Sequence, residues 1–238
     1  MKTSRIVLAS LMTLLAACLV QAADMNMKPI ARVMSVSDIE TDDASGYAAW
    51  IAKTNEVAKA KLGVDNYLRV FQTGFDGHGT GRVRVVSSAA SVAELTKNAL
   101  ALENDPAILQ NRDHLRVIRK QGARVLYQAV RFDGAVKNAS VYTTLAVVTD
   151  EAGYLKAIDQ LRAIYDSLGM KDAKINVYRV MAGRTDHTHR ISISLPSQER
   201  LAAFIDLAGT NSQVTDWLAS SAKYRTVVSN VTAREITK

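Results

Sequence analysis

The sequence predicts an α+β fold built from two tandem units, each ordered strand–helix–strand–strand–helix–strand. Three observations carry this. Segments 30–132 and 139–237 show the same order of alternating apolar runs and of apolar residues at three- and four-residue spacing. Landmarks recur at matching places: Gly46-Tyr47 and Gly153-Tyr154 open the first long helix, and Leu62-Gly63 and Leu168-Gly169 close it. A hairpin tip with His78 and then Arg82 returns as one with His187 and then Arg190. Self-similarity of this kind predicts a pseudo-twofold molecule with shared space between its halves.

The elements follow in order. Valine-rich 30–37 reads as the first strand, ended by the acidic run Asp38 to Asp43. The helix 46–62 places Tyr47, Trp50, Ile51, Thr54, Val57, Ala58 and Leu62 on one face, and Gly63 supplies its stop. Residues 67–73 and 82–87 are β-rich runs around the glycine-heavy loop 74–81. Ser91 and Glu94 have capping-box spacing for a helix over 91–103. Pro106 suits the first turn of a short helix, and 123–132 closes the unit. The second unit repeats this with strands 140–148, 175–181, 190–195 and 224–236, and helices 153–168, 197–207 and 212–222. The short linker around Asp133-Gly134 suits two tightly packed halves.

Residues 1–22 read as a secretory signal peptide. Lys2 and Arg5 precede the apolar run Ile6 to Val20, and Val20-Gln21-Ala22 offers a small-residue cleavage site. The run is shorter than the roughly 20 apolar residues of a membrane span, and the mature chain has no predicted transmembrane segment. Leu15-Ala16-Ala17-Cys18 also resembles a bacterial lipobox, which would make Cys18 a lipid anchor, although Leu19 and Val20 continue the apolar run past it. The expected location is thus periplasmic or secreted, or anchored at the membrane through Cys18.

Cys18 is the only cysteine, so the exported body lacks disulfides, thiol catalysis and cysteine metal clusters. Loss of the first 22 residues lowers the formal charge from +7 to +5. The basic residues are spread along the chain, which argues against a nucleic-acid partner.

The strand–helix–strand–strand–helix–strand order is the split βαβ, ferredoxin-like arrangement, with one sheet face left needing cover. Together with Gly46-Tyr47, Gly153-Tyr154 and the two His/Arg hairpins, it resembles the dimeric α/β-barrel superfamily, which includes antibiotic-biosynthesis-monooxygenase-like domains. The resemblance implies two fused ferredoxin-like (βαββαβ) repeats forming a pseudo-dimeric α/β barrel. It also implies cofactor-independent oxygenase chemistry as one function class.

Arg82 and Arg190 start the third strand of each unit. Arginine forks take carboxylates or phosphates bidentately, so a pseudo-dyad could set this pair on either side of one anionic ligand, with His78 and His187 nearby. A salt bridge to an acidic neighbour is the competing role. If strand geometry extends through Asp186-His187-Thr188-His189, then His187 and His189 share a face. Two imidazoles fall short of the three or four ligands a site needs, so no metal and no cofactor is assigned. Trp50, Trp217, Tyr47 and Tyr154 lie on apolar helix faces and read as core. His114 falls near a helix C-terminus, with no nucleophile paired to it.

The chain has no Gly-x-Ser-x-Gly elbow and no phosphate loop. Gly77, Gly79 and Gly81 lie between two strands, so they are not a dinucleotide fingerprint. The expectation is an exported envelope protein that binds a small or amphipathic ligand between its two repeats. A cofactor-independent monooxygenase-like enzyme is the alternative, and a partner-binding role is a third. Composition leaves the oligomeric state open.

Overall fold

The computed structural model of the protein describes residues 32–74, 82–110, 119–183 and 185–237. Eight strands close into one barrel in the order β1-β3-β2-β8-β5-β7-β6-β4, and every pairing is antiparallel. The first half supplies β1 (Val33–Glu40), α1 (Ala44–Leu62), β2 (Leu68–Thr73), β3 (Arg82–Ala89), α2 (Val92–Glu103), α3 (Pro106–Gln110) and β4 (Lys120–Arg131). The second supplies β5 (Ser140–Val148), α4 (Glu151–Ser167), β6 (Lys174–Ala182), β7 (His189–Leu195), α5 (Gln198–Thr210), α6 (Ser212–Ser221), a 3-10 turn (Ala222–Tyr224) and β8 (Arg225–Glu235). This is a mixed α+β architecture, with helices outside an antiparallel barrel.

Most predicted elements lie within two or three residues of those observed, and the differences have physical causes. β1 runs on through Asp38 to Glu40, past its expected end. Both acids sit opposite arginines of β3, Arg84 and Arg82, so the cross-strand register pairs their charges. α1 begins two residues before Gly46 because Asp43 caps it, its carboxylate accepting from Gly46 N at 2.7 Å. A Cβ on Gly46 would meet Asp43 Oδ2 at 2.0 Å, so only glycine lets the cap fold back. Asp150 and Gly153 repeat this arrangement at α4, with the bond at 2.9 Å. The signal peptide, Cys18, His78 and His114 lie outside the described residues.

Alternation along the strands gives each residue one of two destinations. Even-numbered side chains of β6 and β7, such as Asn176, Tyr178, Arg190 and Ser192, turn into the barrel lumen. There Met34, Val36, Val125, Tyr127, Ala129 and Tyr178 form one apolar cluster. Odd-numbered residues of the same strands, Ile175, Val177, Ile191, Ile193 and Leu195, meet α4, α5 and α6 in the largest core, with Tyr154, Ile158, Tyr165, Phe204 and Trp217. Burying each such side chain contributes about 1.5–3 kcal/mol.

The halves join at two seams. At the first, β2 pairs with β8 over Phe71↔Glu235, Gln72↔Arg234 and Thr73↔Ala233. Arg69 reinforces it by donating to both carboxylate oxygens of Glu235, at 2.7 and 2.6 Å. At the second, β4 pairs with β6 through two register shifts.

Candidate functional site

The pocket with the most developed chemistry lies between the sheet and the helices of the second half, with a volume of about 240 Å³. α4 contributes Tyr154 and Tyr165, α5 contributes Phe204, and α6 contributes Trp217. Tyr165 and Phe204 stack at a centroid distance of 4.4 Å, and Tyr142 of β5 leans on Phe204 at 6.1 Å. The Trp217 indole is fixed by donating to Ala157 O at 2.6 Å. The walls are therefore rigid aromatic planes, which suit a flat apolar guest.

Polar groups are few. Thr144 Oγ1 donates to Asn230 Oδ1 at 2.8 Å on the strand wall. Arg225 of β8 lies 5.4 Å from the Tyr154 ring and 5.3 Å from the Trp217 ring, as a cation over two π faces. Tyr154 has no exposed surface, and no hydrogen bond of full geometry reaches its hydroxyl; the Arg225 guanidinium alone lies near enough to act on it. Burial pushes this phenol up to about 12, with Arg225 working against the shift, so it is neutral and able to donate at ordinary pH. In the first half, Tyr47 opens α1 as Tyr154 opens α4, yet Tyr47 Oη accepts from Arg119 Nη1 at 3.3 Å. A buried hydroxyl left unpaired costs about 1–3 kcal/mol, and a guest in the pocket could remove that cost. The rim is apolar: Ile205, Leu218 and Val227 line the pocket and are exposed.

A smaller cavity of about 90 Å³ lies in the lumen between the two halves. Arg32, Arg69, Arg84 and Arg190 all line it, together with Asn176, Ser192 and Ser194. Thus Asn176, Ser192 and Ser194 face the lumen, whereas Thr144 faces the helix-side pocket.

The residues singled out from sequence separate. Arg190 is buried in the lumen, donating to Ser192 Oγ at 3.1 Å and Thr143 Oγ1 at 3.3 Å. Arg82 lies at the barrel end, half-exposed and paired with Glu40 at 3.3 Å, which is the competing salt-bridge role. The arginine that matches Arg190 is Arg84. Each lies seven residues before the serine that caps the next helix, Ser91 or Ser197.

His187 and His189 do not converge. β7 starts only at His189, so the strand geometry needed to align them is absent at His187. His187 Nε2 meets Tyr127 Oη at 2.9 Å, while His189 Nε2 meets Glu151 Oε2 at 2.7 Å. Among the described residues no three of His, Cys, Asp or Glu gather as a metal site.

Sequence reasoning placed Tyr154 and Trp217 in the core, where they are, but missed the vacant hydroxyl and Arg225. The recurring Tyr47/Arg119 and Tyr154/Arg225 pairs were the available signal for Arg225 alone.

No family model and no curated protein sequence matches the chain. Solved structures do match in fold. A candidate monooxygenase from Lactobacillus acidophilus NCFM aligns with a TM-score of 0.53 at 10% identity, covering 85% of this chain and 92% of that one. An anthrone oxidase-like protein aligns at 0.52 and 14% identity, covering 86% and 91%. A candidate chlorite dismutase aligns at 0.52 and 11% identity, covering 86% and 94%. These neighbours belong to the dimeric α/β-barrel superfamily, and at such identities the likeness shows fold alone.

Proposed function

We propose that this protein binds a small amphipathic molecule with a flat apolar body in the pocket between β5, β7, β8 and helices α4, α5 and α6. The observation that carries the reading is an aromatic pocket with an apolar rim, in which the buried Tyr154 hydroxyl has no full hydrogen bond and only the Arg225 guanidinium near it. The guest's apolar body lies against Phe204 and Trp217, and its acceptor oxygen accepts a hydrogen bond from the Tyr154 hydroxyl. This moves the binding site from the space between the halves to the helix side of the second half. Within the same reading the halves are two ferredoxin-like copies fused in tandem, supported by the shared strand order and the repeated Asp/Gly caps. The chain is exported, supported by the charged and apolar pattern of residues 1–22.

Calorimetric titration with 1-naphthol tests this. Wild type gives saturable binding with a negative heat-capacity change, and Ala208→Phe, which fills the pocket, removes it while the circular dichroism stays native. Equal binding by both proteins would overturn the reading.

Arg225 favours a second, enzymatic reading. A guanidinium beside the pocket would stabilise the anion of an electron-rich aromatic substrate, the form that gives electrons to oxygen. The anthrone oxidase-like neighbour makes anthrone a suitable probe. This reading requires oxygen uptake with anthrone that is lost in Arg225→Met; binding without uptake leaves the protein a carrier.

A further inference from the structure

The lumen contains a broken symmetry of charge. Arg84 on β3 sits opposite Asp38 on β1, and Arg190 on β7 sits opposite Leu145 on β5. The two strand pairs are equivalent: Asp38 and Leu145 each lie five residues before the aspartate that caps the long helix, Asp43 or Asp150. In the first half the Arg84 Nε donates to Asp38 Oδ1 at 2.9 Å. In the second half the carboxylate is replaced by an apolar side chain, and the cation is kept.

Arg190 is 8% exposed, and its partners are the hydroxyls of Ser192 and Thr143 and the phenol of Tyr127. Among the described residues it has no hydrogen-bonded carboxylate. A guanidinium does not shed its proton in a protein, so this buried charge persists and is costly without a counter-ion. Burial disfavours the charge first, and the Arg84 cation adds to this, while Asp38 opposes it.

The adjoining cavity has the sign and size to complete the pair. Of its four arginines, Arg84 is matched by Asp38 and Arg69 by Glu235. Arg32 packs over the Phe132 ring at 4.2 Å, and Arg190 has only neutral partners. About 90 Å³ is well above the roughly 10–15 Å³ that one water needs. That suits a two- or three-carbon acid, and the guanidinium fork matches a carboxylate in shape.

We propose that the barrel lumen is a second binding site, in which Arg190 holds the carboxylate of a small monocarboxylic acid in the place that Asp38 takes on Arg84. Ser192, Ser194 and Asn176 supply hydrogen bonds around it. The site is separate from the helix-side pocket and stands whether or not that pocket binds a guest.

Acetate is the probe, with chloride at equal ionic strength as the control, followed by amide NMR and thermal unfolding. Wild type should show saturable acetate shifts at Arg190, Thr143 and Ser192 and a rise in Tm beyond that in chloride. Leu145→Asp restores the missing carboxylate within the chain, so it should bind acetate at least tenfold more weakly while remaining folded. Arg190→Gln should lose binding as well, and Leu145→Asp keeps the test decisive if that variant does not fold. Acetate acting no differently from chloride, or Leu145→Asp binding acetate as wild type does, would overturn the proposal.

Discussion

Asn55 shows how much one side chain can hold. It is buried on α1, and its amide donates to Leu68 O and accepts from Leu68 N, both at 2.8 Å, closing the start of β2 onto the helix. Asn55→Leu removes both bonds and leaves two backbone groups unpaired, so denaturant unfolding should show a loss of about 2 kcal/mol or more. The tyrosines give a second prediction. Seven of the eight are raised, chiefly by burial. Between pH 10 and about 12 the unfolded chain loses the Tyr154 proton while the native state keeps it. Stability must therefore fall as pH rises through that window, by about 1.4 kcal/mol per unit for this residue alone. Tyr154→Phe should make the alkaline fall in Tm shallower. At this scale sequence was an uneven guide. Arg190 stood out, but matching the hairpins on their histidines paired it with Arg82, whereas counting back from the serine caps finds Arg84. The vacant Tyr154 hydroxyl left no trace in sequence, because a paired and an unpaired tyrosine are written alike.

Helix starts concentrate the element-scale energetics. Asp150→Ala removes the α4 cap and should cost about 1 kcal/mol. One residue on, Glu151 accepts from His189, and that bond holds its carboxyl below the usual range, with Arg179 assisting and burial opposing. The sign follows directly: the stabilisation is complete above the ordinary value of 4.5 and is lost as pH falls through the lowered one. Glu151→Gln should accordingly flatten the acid limb of a Tm-against-pH curve. Element order was legible because alternation and three-to-four spacing report burial directly. The true end of β1 was hidden, since acids read as a terminator until the arginines opposite them are known.

For the whole molecule, closure of the barrel rests on its short seam. β2 and β8 share few paired residues, and the Arg69–Glu235 fork carries much of their contact. Glu235→Gln weakens a largely buried pair and should cost about 3 kcal/mol. Amides of β2 and β8 should then exchange faster than those of β7, which lies inside the second half. A mixed α+β chain of antiparallel strands and covering helices could be read from the sequence. The seams could not, because they depend on register between distant segments, more than 160 residues apart for β2 and β8. Nor could sequence tell that the larger cavity lies behind one sheet and the charged one between the halves, since alternation alone names no face.

The most direct test of the account is an amide NMR titration of the protein with 1-naphthol, read residue by residue. Saturable shifts should cluster at Tyr142, Thr144, Tyr154, Phe204 and Trp217, and Tyr154→Phe should bind more weakly with the same pattern. Shifts confined to Arg84, Arg190 and Ser192, or none that saturate, would contradict a ligand site behind the second-half sheet.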